Sequence, residues 1–124
     1  MTTRPFDQIL GVSDLKTTAD RLGNFFFTPG AMRFFNSRVD WKLFRVDDSR
    51  GYFVTSEKYD GYNSTYSERR KWTVRQYAVV RDHDGRDRLE IDSVGTFQGF
   101  ASLEGARTHA EALQGFALID PKAF

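Results

Sequence analysis

Apolar and polar positions alternate most regularly between Arg70 and Phe97, on either side of Asp84-Gly85. That dipeptide marks a hairpin turn, because Gly tolerates positive φ and Asp tolerates it better than most residues. A two-residue turn centred there places Val80 opposite Leu89, Ala78 opposite Ile91, Val74 opposite Gly95 and Trp72 opposite Phe97. Apolar or small groups then share one face, with Gln76 opposite Ser93 as the polar exception. The other face carries Thr73, Arg75, Tyr77, Arg81, Glu90, Asp92 and Thr96 and reads as solvated. This is the pattern of an antiparallel sheet covered on one side.

The same periodicity predicts the flanking elements. Leu15, Ala19 and Leu22 fall on one face of a helix over Asp14 to Leu22, with Ser13 as its expected N-cap and Gly23-Asn24 as its stop. Thr28-Pro29 reads as the N-cap and first residue of a short helix through Met32 and Phe35, closing near Asn36. Phe34 and Phe35 are expected to anchor that turn in the core. Val39, Trp41 and Leu43 alternate with Asp40, Lys42 and Phe44, and Tyr52 to Ser56 is a second β-prone run. Residues 47–51 between these runs carry a turn signal, so a second hairpin is predicted. Tyr59 to Arg69 reads as a polar loop. A last helix, from about Leu103 to Gln114, has Ser102 as its cap and an apolar stripe of Leu103, Ala106, Ala110, Leu113 and Ala117. Phe116 to Ile119 is expected to pack back. The predicted fold is α+β: one domain over residues 1–124, an antiparallel sheet of about four strands, and N- and C-terminal helices packed on one face. Sequential hairpins are the expected strand order.

Composition narrows the function classes. The chain has 124 residues, 40% of them hydrophobic and 28% charged, which is ordinary for a globular domain. Phe is overrepresented, with 12 residues, so much apolar area is available per residue for a core or for a partner. There is no cysteine, which excludes disulfides, thiolate metal sites and thiol catalysis. Met1 to Gly11 lacks the pattern of a secretory signal, and no run approaches a membrane span. A cytoplasmic protein with no membrane association is expected.

Catalytic signatures are missing from the sequence. His83 sits beside the expected turn and His109 in the last helix. Neither accompanies a nucleophile motif, and both read as surface or satisfied histidines. Asp82, Asp84, Asp87, Glu90 and Asp92 fail the calcium-loop pattern, since Arg86 stands where the third acidic ligand belongs. No glycine spacing matches a phosphate loop. No cofactor and no metal are expected, and the chain reads as non-enzymatic.

Charge is uneven. Residues 1–81 hold 14 Lys/Arg against 9 Asp/Glu, and residues 82–124 hold 4 against 8. The basic part is interleaved with aromatic rings, so Tyr59, Tyr62, Tyr66, Arg69, Arg70, Lys71, Arg75 and Tyr77 form the candidate binding surface. Arginine offers a planar fork to phosphate, and aromatic rings stack on bases. The same residue types dominate protein hot spots. Trp41 and Trp72 read as core. Arg33 and Arg38, flanking the short helix, join the candidate set as cations on a rigid element, able to hold an anion or to pair with Asp40 or Glu57.

Three segments are familiar together: 26–38, Phe-Phe-Thr-Pro-Gly-Ala-Met-Arg-Phe-Phe-Asn-Ser-Arg; 51–57, Gly-Tyr-Phe-Val-Thr-Ser-Glu; and 70–75, Arg-Lys-Trp-Thr-Val-Arg, followed by Val94 to Ser102 and an alanine-rich helix. They resemble small uncharacterised proteins encoded by bacteriophages and other bacterial mobile elements, over residues 25–113. The resemblance implies no activity and transfers no functional residue. It implies a context in which small accessory proteins act by binding, inside the bacterial host. The expected partner is therefore a host protein, with nucleic acid or a nucleotide as the alternative. An exposed edge strand could also pair with a second copy.

Overall fold

A computed structural model describes residues 8–59 and 69–120. The elements in chain order are α1 (Val12–Arg21), α2 (Pro29–Phe34), β1 (Arg38–Arg45), β2 (Arg50–Glu57), β3 (Lys71–Arg81), β4 (Asp87–Val94) and α3 (Leu103–Ile119). The four strands form one antiparallel sheet in the order β1-β2-β3-β4. The fold is thus α+β, a meander of sequential hairpins with helices at its two ends. Among the described residues, no helix is long and apolar enough to cross a membrane.

The helices do not share a face. Alternation along β2 sends Phe53 one way and Tyr52 and Val54 the other. Phe53 joins Tyr77 and Leu89 under Ile9, Leu15 and Ala19 of the N-terminal segment. Tyr52 and Val54 join Phe44 and Val74 under Ala106 and Ala110 of α3. The sheet is therefore sandwiched, and this corrects the expectation of one covered face. Every residue from Gly51 to Glu57 is buried, because β2 is central and roofed on both sides. Gly51 is packed so closely that a Cβ would lie 2.5 Å from the Phe44 carbonyl oxygen and 2.6 Å from the Tyr77 hydroxyl.

The β3–β4 hairpin has its register shifted by one residue from expectation. Val79 faces Leu89, Tyr77 faces Ile91, Arg75 faces Ser93 and Val74 faces Val94. The loop has three residues, His83 to Gly85, rather than two. Asp82 N–H donates to the Arg86 carbonyl at 2.9 Å, Gly85 takes φ +80°, and the Asp82 carboxylate accepts from Asp84 and Arg86 N–H. This is a type I turn closed by a left-handed glycine. The shift puts Leu89 and Ile91 on the same face as Val79 and Tyr77, and Tyr77 and Thr73 are fully buried. The face read as solvated is a core face at those positions.

Local signals fare better at the helix ends. Thr28 caps α2 as expected, accepting from Ala31 N–H. Asn36 stops it at φ 51°, with Ser37 N–H returning to the Met32 carbonyl at 2.7 Å. This is a Schellman closure with Asn in the left-handed position. Ser102 caps α3 through Gly105 N–H at 3.0 Å, and α3 runs five residues beyond Gln114, to Ile119. Its end does not pack back: Phe116, Leu118 and Ile119 are exposed. At α1 the cap is Gly11 rather than Ser13, with no side-chain cap bond. The Asp14 carboxylate instead accepts from Leu10 N–H at 3.0 Å. Two aromatic expectations also reverse. Trp41 is 74% exposed and Phe34 64% exposed. Trp41 sits where the β1–β2 register shifts between Val39 and Leu43.

Candidate functional site

The connection from α1 to β1 builds a groove against β3 and β4. Gly23, at φ 76°, ends α1, and Asn24 N–H returns to the Ala19 carbonyl at 2.8 Å. The Asn24 side chain then ties the chain to the sheet, its Nδ2 donating to the Leu89 carbonyl at 2.9 Å while its Oδ1 accepts from Phe26 N–H. Phe26 and Phe27 dip against Phe53, and α2 follows with no buried residue of its own. Between this segment and the sheet lies a pocket of about 550 Å³. Its apolar walls include Phe25, Phe26, Met32 and Phe35 on one side and Leu89 and Ile91 on the other. Ser37, Arg75 and Arg88 supply polar groups. That size and lining match ordinary ligand sites, which are largely apolar with a few placed polar groups.

Arg75 is held in place by a buried network. Its Nε donates to Thr55 Oγ1 at 3.0 Å and its Nη2 to Glu57 Oε2 at 3.3 Å. The guanidinium carbon lies 5.2 Å from the Phe26 ring centre and 5.6 Å from that of Phe97, so rings flank the cation. Glu57 has no exposed surface. It also accepts from Thr73 Oγ1 at 2.7 Å and Ser37 Oγ at 3.3 Å, and Thr73 Oγ1 accepts from Gln98 N–H. Burial holds the Arg75 guanidinium below its usual range, against the pull of Glu57. Among the described residues Nη1 of Arg75 has no hydrogen-bond partner, and Arg75 lines the pocket. The arrangement can seat an apolar group and hydrogen-bond an oxygen attached to it.

The expected basic-aromatic surface is divided among several places. Tyr77 lies in the core, fully buried, and belongs to no surface. Arg75 lines the groove. Arg70 turns inward, its Nη1 donating to the Asn36 and Ser56 carbonyls and to Ser56 Oγ, each at 3.0 Å. Arg38 shares a small cleft with Arg70 on the opposite side of the sheet from the groove, beside Trp72 and Leu103. Arg33, Arg69 and Lys71 are exposed. Tyr59 stacks edge-on against Phe35 at 4.8 Å and is held by Gln98, which both donates to and accepts from its backbone. Tyr62 and Tyr66 lie outside the described residues. Asp40 pairs with Arg107 and Glu57 with Arg75. Both histidines lie away from the groove: His83 is on the hairpin loop with a 93% exposed side chain, and His109 lies against Phe100. Among the described residues, no three His, Asp or Glu side chains gather as a metal site.

Reading the sequence missed Asn24, Phe25, Met32 and Glu57 as contributors to the site. The available signal was Glu57 itself, a carboxylate ending a strand otherwise rich in aromatic and β-branched residues. Neither the curated proteins nor the solved structures contain a significant match to the chain. The family of unknown function DUF7447 matches residues 12–111, a stretch that includes the whole groove, and the chain belongs to that family.

Proposed function

We propose that this chain is a non-enzymatic accessory protein that binds a host protein, and that the groove between α2 and the β3–β4 hairpin receives an apolar side chain of that partner. The observation that carries the reading is the groove itself, apolar on both walls with an unspent guanidinium donor beside them. Phe25 on its rim is 74% exposed. An exposed aromatic ring beside an apolar pocket is a typical hot-spot arrangement. Nη1 of Arg75 selects for an acidic or carbonyl oxygen next to the inserted side chain; Arg88 at the edge is already paired with Glu90 at 2.9 Å. The resemblance to phage and mobile-element proteins supplies the bacterial cytoplasm as the setting. It adds nothing to the choice of site.

The test uses a partner captured from nuclease-treated host lysate, purified, and titrated against variants. Met32→Asp puts a charge on the apolar wall at a position outside the core, and Phe25→Ala removes the rim. Each should weaken binding about 30-fold or more, as hot-spot truncations worth about 2 kcal/mol do. Arg69→Ala and Lys71→Ala should leave it unchanged. Equal affinity for wild type and Met32→Asp would overturn the assignment. So would a bound fraction lost on nuclease treatment, which would make nucleic acid the partner.

A further inference from the structure

We infer that the groove accepts an uncharged segment of its partner and sets a neutral carbonyl oxygen, not a carboxylate, on Arg75, which rests on the reading of the groove as the docking site. Among the described residues, the charged side chains lining the groove are Arg75 and Arg88. Each already has its counter-charge. Glu57 lies 3.3 Å from Arg75 Nη2 and has no exposed surface, so the pair brings no net charge to the groove. The Phe26 and Phe97 rings, 5.2 and 5.6 Å from the guanidinium carbon, turn the negative faces of their π-systems to the same cation. Arg88 is paired with Glu90 at 2.9 Å, both side chains half-exposed, and water and salt screen what charge it still shows.

Few polar atoms are offered to an occupant. Both ends of the Asn24 amide are engaged, one on the Leu89 carbonyl and one on Phe26 N–H. Ser37 Oγ donates to Glu57 at 3.3 Å. Arg75 Nη1 has no hydrogen-bond partner among the described residues. It is not sealed either: the buried side-chain polar atoms without a partner are Arg45 Nε, Arg70 Nη2 and Tyr77 Oη. Nη1 is therefore an accessible donor between apolar walls, and an oxygen that meets it leaves water. A carbonyl gives up little hydration and gains one hydrogen bond. A carboxylate gives up far more, and Glu57 behind the guanidinium repels it while Arg75 attracts it. A main-chain carbonyl beside an inserted apolar side chain answers both requirements.

Two probes of one shape test this: N-acetyl-phenylalaninamide, which is neutral, and N-acetyl-phenylalanine, which is a carboxylate at neutral pH. Each is titrated into isotope-labelled protein and followed by nuclear magnetic resonance. The amide should give saturable shifts at Leu89, Ile91 and the Arg75 side chain, and bind about tenfold tighter than the carboxylate or more. Its affinity should change by less than about twofold between low and high salt, because no net charge is neutralised on binding. Glu57→Gln keeps the shape of the acid and removes its charge, leaving Arg75 uncompensated. In that variant the carboxylate should gain about tenfold on the amide; should the variant fail to fold, the wild-type preference decides alone. A carboxylate that binds wild type as tightly as the amide overturns the neutral-carbonyl assignment while its shifts at Leu89 and Ile91 uphold the groove. A preference that does not move in folded Glu57→Gln also overturns it, since the buried acid would then not set the choice. Silence of both probes at these residues overturns it too, and the docking reading is then judged separately by Met32→Asp against the captured partner.

Discussion

Glu57 and Arg75 form an ion pair whose acid has no exposed surface and whose base has a side chain only 11% exposed. Desolvating both charges costs several kcal/mol each, and the pair survives because Thr55, Thr73 and Ser37 complete its hydrogen bonds. Removing one partner strands the other. Glu57→Ala should cost about 3–5 kcal/mol, and adding Arg75→Met should recover part of that loss. Urea midpoints for the two single variants and the double variant measure the coupling; simple additivity would show that the network is not a unit. Tyr77 illustrates the opposite case. Its hydroxyl is buried without a partner, and burial pushes its phenol well above the ordinary range. Tyr77→Phe deletes an unsatisfied group and should leave stability at pH 7 unchanged or raise it by about 1 kcal/mol. At alkaline pH the unfolded phenol ionises first, near its ordinary pKa of about 10, and the folded one does not. The wild type therefore loses stability as pH rises past that point, and the Phe variant should lose less. Parallel alkaline slopes for the two proteins would contradict the buried phenol. The burial of Tyr77 was not legible from its neighbours, since Arg75 and Gln76 beside it look like a wet surface.

At the scale of elements, what could be read depended on whether the deciding chemistry was local. Thr28-Pro29, Asn36 and Ser102 set helix ends through contacts within a few residues, and the structure places all three where the sequence does. The β3–β4 hairpin was equally visible as an element, but its register was not. Asp84-Gly85 can close a two-residue loop or the second half of a three-residue one, and the choice turns on the Asp82 carboxylate reaching forward to two N–H groups. One residue of slip moves every side chain to the other face. The loop's dependence on its left-handed glycine is measurable. Gly85→Ala meets no steric neighbour, since nothing lies within 4 Å of the added Cβ. It should still cost about 1–2 kcal/mol from backbone strain alone. An Ala variant as stable as wild type, by thermal melting, would mean that the loop relaxes to another turn.

At the scale of the molecule, β2 and β3 carry both cores. Phe53 and Tyr77 face α1 while Tyr52, Val54 and Val74 face α3, so neither face can lose its packing without loosening strands that the other needs. The one-face reading failed because the central strands do not alternate in polarity. Thr55, Ser56 and Glu57 are buried with the apolar residues, and their hydrogen-bond partners come from β3, from Ser37 and from the Arg70 side chain, all distant in sequence. The groove arises from this architecture too, since the segment from α1 to β1 must cross a face that α1 alone does not fill. Shared strands predict a single cooperative transition. Leu15 is fully buried under the α1 face, and Leu15→Ala should cost about 2–5 kcal/mol through lost burial and the cavity left behind. Trp72 packs half-buried in the opposite core, while Trp41 is already largely solvated, so tryptophan emission on denaturation reports the α3 side. The urea midpoint seen by emission should fall in Leu15→Ala as far as the midpoint seen by far-ultraviolet dichroism, because a two-state domain melts everywhere at once. A dichroism midpoint that falls while emission stays at the wild-type value would show two faces folding apart, and the groove would then belong to a locally unfolding layer rather than to a preformed site.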